Sequence, residues 1–314
     1  MDFVEDAVLN AEVYACGVVQ GVGFRPFVAR LAGELGITGA VWNEGGDVRA
    51  RLFGPADAIA AFCDRLPREL PPGAALRAFS CDTRTPADGE TAPARFSIAE
   101  SGGRADGPIM PAPDLATCPA CLAELFTPGD PRHQNPFISC THCGPRYSIL
   151  HRVPYDRPNT SMAAFDLCPL CGRQYRDPVD RRFHAQTVCC NDCGPTLRYH
   201  GRDARHAGGA AALEAAVSAL GAGGIVAVKG IGGYHLACDP YDEGAVARLR
   251  LLKGREYKPF AVMFPDLASL RAHCRTTGAE NELLSSPAAP IVLVPAAGRR
   301  LAAGVCAGSD EVGA

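Results

Sequence analysis

VVQGVGFRPFV, residues 18–28, runs from β-branched residues through two glycines and an arginine to a proline that opens an apolar stretch. Its flanks decide the fold. Upstream, EVYACGVV (12–19) has the β-branched and aromatic character of a strand. Downstream, Pro26 suits a first helical turn, Phe27, Val28, Leu31, Ala32 and Leu35 recur at helical spacing, and Gly36 ends the pattern. TGAVWN (38–43) and VRARLFG (48–54) flank the turn Glu44, Gly45, Gly46, Asp47, as in a hairpin. A second helix follows Pro55, with Ile59, Phe62, Cys63 and Leu66 on one face, and ALRAFS (75–80) and RFSIAE (95–100) are the last strand candidates. Strand, helix, strand, strand, helix, strand is the order of a split βαβ sandwich of the ferredoxin-like type.

The loop inside that frame has two readings. Glycines before a helix commonly just make a turn. A loop that feeds a helix N-terminus also presents free backbone N–H groups to an anion, and Arg25 adds a fixed positive fork suited to phosphate or carboxylate. Asn43 favours the second reading, because the ends of the first and second strands can meet in this fold and set an amide near the arginine, where it could orient a water.

Composition bounds the rest. A chain of 314 residues with 47% hydrophobic and 21% charged residues is expected to form two or three globular domains. A net charge of -3 provides no overall basic field for nucleic acid or membrane, so neither is expected as a partner. The opening MDFVEDAVLN is acidic where a secretory signal would be basic, and no apolar run approaches a membrane span, which reads as cytoplasmic.

Eight of the fifteen cysteines form four Cys-x-x-Cys pairs. In a reducing compartment this points to metal rather than disulfides. The pairs belong to a duplication. Cys118, Cys121, Cys140 and Cys143 recur 50 residues later as Cys168, Cys171, Cys190 and Cys193, together with Pro119 and Pro169, Asp130 and Asp180, Arg132 and Arg182, and the Gly-Pro pairs at 144 and 194. Four thiolates make a closed tetrahedral zinc site with no position for substrate, so two structural zincs are expected, with iron or redox thiols as the other readings. Local pairing and a nested arrangement of outer and inner pairs fit the spacing equally. His142 and Cys189 stand beside ligands as bystanders.

After the second cysteine block the pattern changes again. AALEAAVSALGAGG (211–224) reads as a helix, GIVAVKGIGGYHLACD (224–239) as a buried strand entering a glycine loop, EGAVARLRLLKGR (243–255) as a helix, and PFAVMF (259–264) and APIVLVP (289–295) as strands. This alternation indicates an α/β domain.

Residues 18–48, VVQGVGFRPFVARLAGELGITGAVWNEGGDV, resemble the acylphosphatase signature. The resemblance implies that Arg25 binds the phosphate end of an acyl phosphate, that Asn43 positions the attacking water, and that amides of Gly21, Val22, Gly23 and Phe24 form the cradle. The succession of this signature, the cysteine repeat and the α/β region resembles the HypF family of hydrogenase maturation carbamoyltransferases. CPACLAELFTPGDPRH (118–133), CTHCGPRYSIL (140–150), PYDRPNTSMAAF (154–165), DPVDRRFHAQ (177–186), VAVKGIGGYHLACD (226–239), LRLLKGREYKPFAVMF (249–264) and PIVLV (290–294) carry it.

The implied architecture is an α+β multidomain chain. It has a ferredoxin-like acylphosphatase-like domain (1–104), a duplicated four-cysteine zinc-finger region (105–200) and an incomplete α/β YrdC-like nucleotide-binding domain (201–314). Lys253, Arg255 and Lys258 are the implied nucleotide-binding cations, a sensible set for a triphosphate, and Lys229 is a weaker one. The implied chemistry is hydrolysis of carbamoyl phosphate, then carbamoyl adenylate formation with ATP and Mg, then transfer to the C-terminal cysteine of the partner HypE through a further domain. Because the sequence stops at GSDEVGA, this chain is expected to retain acylphosphatase activity and zinc binding only. A zinc-ribbon module of chaperone type would explain the cysteines alone, and a threonylcarbamoyl-adenylate synthase the last region alone.

Overall fold

Alternating burial along the first strands determines which face of the first sheet the helices cover. The computed structural model describes residues 8–87, 89–102, 110–201, 206–230 and 232–314, in two compact units, Met1–Gly194 and Pro195–Ala314. In the first unit β1 (Leu9–Val18), α1 (Phe24–Glu34), β2 (Thr38–Glu44), β3 (Asp47–Gly54), α2 (Ala56–Arg65), β4 (Ala75–Arg84) and β5 (Phe96–Ile98) follow in order. The sheet order is β4-β1-β3-β2-β5, antiparallel except that β5 runs parallel to β2. The four-strand ferredoxin-like arrangement is therefore present, and RFSIAE extends it as an added edge strand.

Ala11, Val13 and Ala15 of β1, Val41 of β2 and Val48, Ala50 and Leu52 of β3 face one side, where Phe24, Phe27, Val28, Leu31 and Ala32 of α1 and Ile59, Phe62 and Leu66 beside them complete the core. Each of the larger side chains contributes about 1.5–3 kcal/mol by leaving water. Cys63 on α2 and Cys81 on β4 are bonded to one another, a contact not anticipated from a reducing compartment. The stretch SGGRADGPIMPAP (101–113), whose glycine and proline content marks a linker, lies in part, at 103–109, outside the described residues, as does the boundary read at 104/105.

The repeat folds as two matched halves. α3 (Pro119–Phe126) and α4 (Pro169–Arg176) each begin at a proline directly after a cysteine N-cap. Arg132 of the first half is 2% exposed and crosses into the second, where Nε donates to the Cys189 carbonyl at 2.8 Å, Nη2 to Gln174 Oε1 at 2.7 Å and Nη2 to Cys171 Sγ at 3.3 Å. Arg182, 50 residues on, makes the reciprocal set: Nε to the Ser139 carbonyl at 3.2 Å, an ion pair with Glu124, and Nη2 near Cys121 Sγ at 4.0 Å. The partners also correspond at the same offset, Cys189 with Ser139, Gln174 with Glu124 and Cys171 with Cys121. Each half thus places a buried cation against the other half's cysteine cluster.

The second unit carries β6 (Arg198–His200), β7 (His206–Gly208), α5 (Ala210–Gly221), β8 (Val226–Lys229), β9 (Tyr234–Ala237), α6 (Glu243–Lys253), α7 (Leu267–Arg271), α8 (Gly278–Leu284), β10 (Leu293–Pro295), α9 (Ala303–Cys306) and β11 (Glu311–Gly313). Its strands pair two by two. Two expectations are corrected here. GIVAVKGIGGYHLACD is not a buried strand but the antiparallel pair β8 and β9, with Val228 46% and Tyr234 71% exposed. No further strand among the described residues continues that ladder, so its edges stay open. PFAVMF forms no named strand, because its backbone bonds go singly to Val305 and Gly313, and Met263 is 97% exposed. The core lies under α6, where Val246 packs with Val262, Leu270, Val294, Val305 and Val312. No helix among the described residues is long and apolar enough to cross a membrane.

Candidate active site and metal centres

The 18–28 loop turns inward because Gly21 and Gly23 take φ of 76° and 75°, a region L side chains avoid, and Gly23 then serves as N-cap of α1. Helix α1 begins at Phe24, so Pro26 falls in its first turn. Val22 is fully buried in the core and pins the loop from below. Gln20 ties it to the β2–β3 hairpin, donating to the carbonyls of Gly45 and Asp47 at 3.0 and 2.9 Å.

Arg25 and Asn43 are both buried, at 9% and 1% exposure, and one short segment joins them. Arg25 Nη1 donates to Ser101 Oγ at 3.1 Å, and the next residue, Gly102, donates its backbone N–H to the Asn43 carbonyl at 3.0 Å. Both polar atoms of the Asn43 side chain are buried and make no hydrogen bond to another described residue. Burying a carboxamide without partners costs a few kcal/mol, so an amide kept in this state is ready to hold a small polar molecule.

The finger region closes the cradle. A cavity of ≈ 30 Å³ is lined by Gly21, Gly23, Phe24 and Arg25 on one side and by Thr141, Arg146, Tyr155, His184 and Gln186 on the other. Arg25 Nη2 pairs with Asp156 Oδ1 at 2.6 Å. Arg146 donates from Nε to the Gly21 carbonyl while its other nitrogens bind the carbonyls of Cys140, Thr141, Cys143 and Pro145. It therefore stitches the first cysteine knuckle to the glycine loop. Burial, reinforced by the Arg25 charge, pushes the His184 pKa down to about 4, so its ring is neutral near pH 7. The backbone of His184 is left-handed, φ 53°, as is that of Gln134 one repeat earlier, φ 56°, so this conformation belongs to the repeat rather than to the cavity.

The eight cysteines gather as Cys118, Cys121, Cys140, Cys143 and as Cys168, Cys171, Cys190, Cys193, with the four sulfurs of each set within 4.8 Å of one another. That is the local arrangement, not the nested one. Five of these sulfur separations are 3.5–3.8 Å. A tetrahedron with Zn–S of about 2.3 Å has edges of about 3.8 Å, so the residues fit zinc. Four thiolates around a divalent ion carry a surplus of two negative charges, which Arg132, Arg181 and Arg182 face: Arg181 Nη1 donates to Cys121 Sγ at 2.9 Å. Cys189 and His142 lie outside both sets.

The cations read in the last region sit at the end of α6. Lys253 and Lys258 are exposed and Arg255 half-buried, and the carbonyls of Arg255 and Lys258 accept from the Arg250 guanidinium at 2.9 and 3.4 Å. Lys229 Nζ lies 5.6 Å over the Tyr234 ring. Ser101, Asp156, Arg146 and His184 were not singled out from sequence. PYDRPNTSMAAF contains Tyr155 and Asp156, DPVDRRFHAQ contains His184, Ala185 and Gln186, and CTHCGPRYSIL contains Thr141 and Arg146, so these stretches are the sequence signal that covers them.

Fold and site define an acylphosphatase-type sandwich joined to a duplicated four-cysteine finger. The Acylphosphatase family matches residues 11–98, the HypF finger family residues 117–150 and 167–200, and the Sua5/YciO/YrdC family, described as telomere recombination, residues 218–314. The chain is 50% identical over 281 residues to carbamoyltransferase HypF of Synechocystis sp., covering 88% of this chain and 36% of that protein. It is 45% identical over 311 residues to carbamoyltransferase HypF of Rhizobium leguminosarum bv. viciae, covering 99% and 38%. A crystal structure of full-length HypF in its phosphate- and nucleotide-bound form superposes with a TM-score of 0.87 at 38% identity, over 98% of this chain and 39% of that one. The chain belongs to the HypF carbamoyltransferase family. It spans about a third of the length of the curated relatives it matches.

Proposed function

We propose that the acylphosphatase-like domain, 1–104, hydrolyses carbamoyl phosphate to carbamate and phosphate. Arg25 and the amides of Gly21, Val22, Gly23 and Phe24 hold the phosphoryl oxygens, and the Asn43 carboxamide orients the water that attacks. Catalysis then rests on positioning and on neutralising charge, with no nucleophilic side chain required. The observation that carries this reading is the buried, unpartnered Asn43 amide joined through Ser101 and Gly102 to a buried arginine on a glycine loop.

The finger region, 105–200, holds two structural zincs and forms the far wall of the cradle. The YrdC-like region, 201–314, supplies Lys253, Arg255 and Lys258 towards ATP and Mg, a role supported by the family match and by the nucleotide bound in the HypF crystal structure. In the whole protein the carbamoyl group would pass as its adenylate to HypE, in the cytoplasm.

Phosphate release from carbamoyl phosphate by the purified chain tests the first step. Arg25→Ala should abolish turnover while about two zinc ions per chain remain. Unchanged turnover in that variant would remove Arg25 from the site.

A further inference from the structure

The Arg25 ion pair is built from the finger region with unusual care. Asp156 stands between two anchored neighbours. Tyr155 donates its N–H to Gln20 Oε1 at 2.8 Å, and Arg157 donates its own to Gln186 Oε1 at 2.7 Å while its guanidinium binds the carbonyls of Phe165, Gln186 and Val188. The carboxylate touches Arg25 through one oxygen only, and Ser101 takes one further N–H. A guanidinium has five donors, so three are unbonded among the described residues and can meet an anion. A pair serving adhesion alone would gain most from the two-pronged contact. This one fixes the guanidinium and leaves its other edges to the cradle.

We propose that Asp156 is a positioning residue of the acyl-phosphate site, which orients Arg25 and keeps phosphate from being held tightly enough to delay its release. The proposal rests on the Arg25 reading above. A phosphate and a carboxylate on one guanidinium lie about 5 Å apart, and at that distance their repulsion in a part-buried site is worth on the order of tenfold in anion affinity or more.

Inorganic phosphate, as inhibitor of carbamoyl phosphate hydrolysis and as titrant in calorimetry, measures this on the zinc-loaded chain. Asp156→Asn should tighten phosphate binding by about tenfold, lowering KM with it while kcat falls, and Asp156→Glu, which keeps the charge, should stay within about twofold of the parent. Phosphate affinity that is unchanged or weaker in Asp156→Asn, with zinc content and melting preserved, overturns the proposal. So does an equal tightening in Asp156→Glu, which would assign the effect to packing. An Asp156→Asn chain that sheds zinc and unfolds would assign the pair to docking alone. A parent chain that neither binds phosphate nor hydrolyses the substrate would instead fail the Arg25 reading, and this inference with it.

Discussion

Replacing Arg132 by Met should weaken zinc not in its own half of the repeat but in the other. The substitution keeps the length of the buried stem and removes the guanidinium, which is 2% exposed and donates to Cys171 Sγ at 3.3 Å, to the Cys189 carbonyl at 2.8 Å and to Gln174 Oε1 at 2.7 Å. Gln174 is half-buried and can turn to water, so its loss costs little. The Cys189 carbonyl is left buried without that donor, about 1–3 kcal/mol. The larger consequence falls on the Cys168, Cys171, Cys190, Cys193 cluster, which loses the cation facing its surplus negative charge. Groups outside the ligand shell that act this way are worth roughly 10- to 100-fold in metal affinity.

Zinc release to a chromophoric chelator measures the effect. The parent chain should give up both ions slowly, whereas Arg132→Met should release one equivalent at least tenfold faster. Alkylation under chelator followed by peptide mapping should then find Cys168, Cys171, Cys190 and Cys193 labelled first. Early labelling of Cys118, Cys121, Cys140 and Cys143, or two equally slow ions, would refute the reciprocal role of the arginine.

Two further outcomes follow from the cradle. Gly23→Ala should cost about 1–2 kcal/mol in thermal stability, because φ is 75° and the added Cβ would lie 3.2 Å from Thr141 Cβ, and it should lower kcat/KM for carbamoyl phosphate on the order of tenfold through displacement of the Arg25 helix turn. His184, pushed from 6.5 down to about 4 in the folded chain, is protonated first in the unfolded state, so the unfolded chain binds more protons and stability is lost as pH falls from 6.5 towards 4. Melting temperatures of His184→Gln should therefore decline less than those of the parent over that window, and parallel declines would contradict the assignment.

The sandwich was readable because its signals are local. Alternation in TGAVWN and the 3.6-residue period after Pro26 each report on a face that one element buries, and the observed burial of Val41, Phe27, Val28 and Leu31 follows them. Local cysteine grouping needs the chain path between the pairs, which spacing does not contain. The same holds for Asp156 and Arg146, which meet the glycine loop more than a hundred residues from it in sequence. An aspartate between tyrosine and arginine has no periodicity to betray its partner. The exposed β8–β9 pair failed for the opposite reason: Ile, Val and Ala in GIVAVK report a propensity for strand, but burial depends on whether another layer lies over it.

The first cysteine cluster and the glycine loop are mechanically joined in the first unit. Arg146 holds the carbonyls of Cys140 and Cys143, two residues of the first cluster, and the carbonyl of Gly21, so the cradle backbone is fixed to the chain that wraps the metal. That cluster in turn faces Arg181 and Arg182 from the other half, whose residues His184 and Gln186 line the same cavity. A glycine loop is otherwise free to relax, since glycine loses more conformational entropy on ordering than any other residue. Two zinc knuckles that exchange arginines provide the rigid wall against which such a loop can keep its N–H groups converged. The duplication therefore does more than repeat a fold: one half grips the loop and the other supplies the face opposite Arg25.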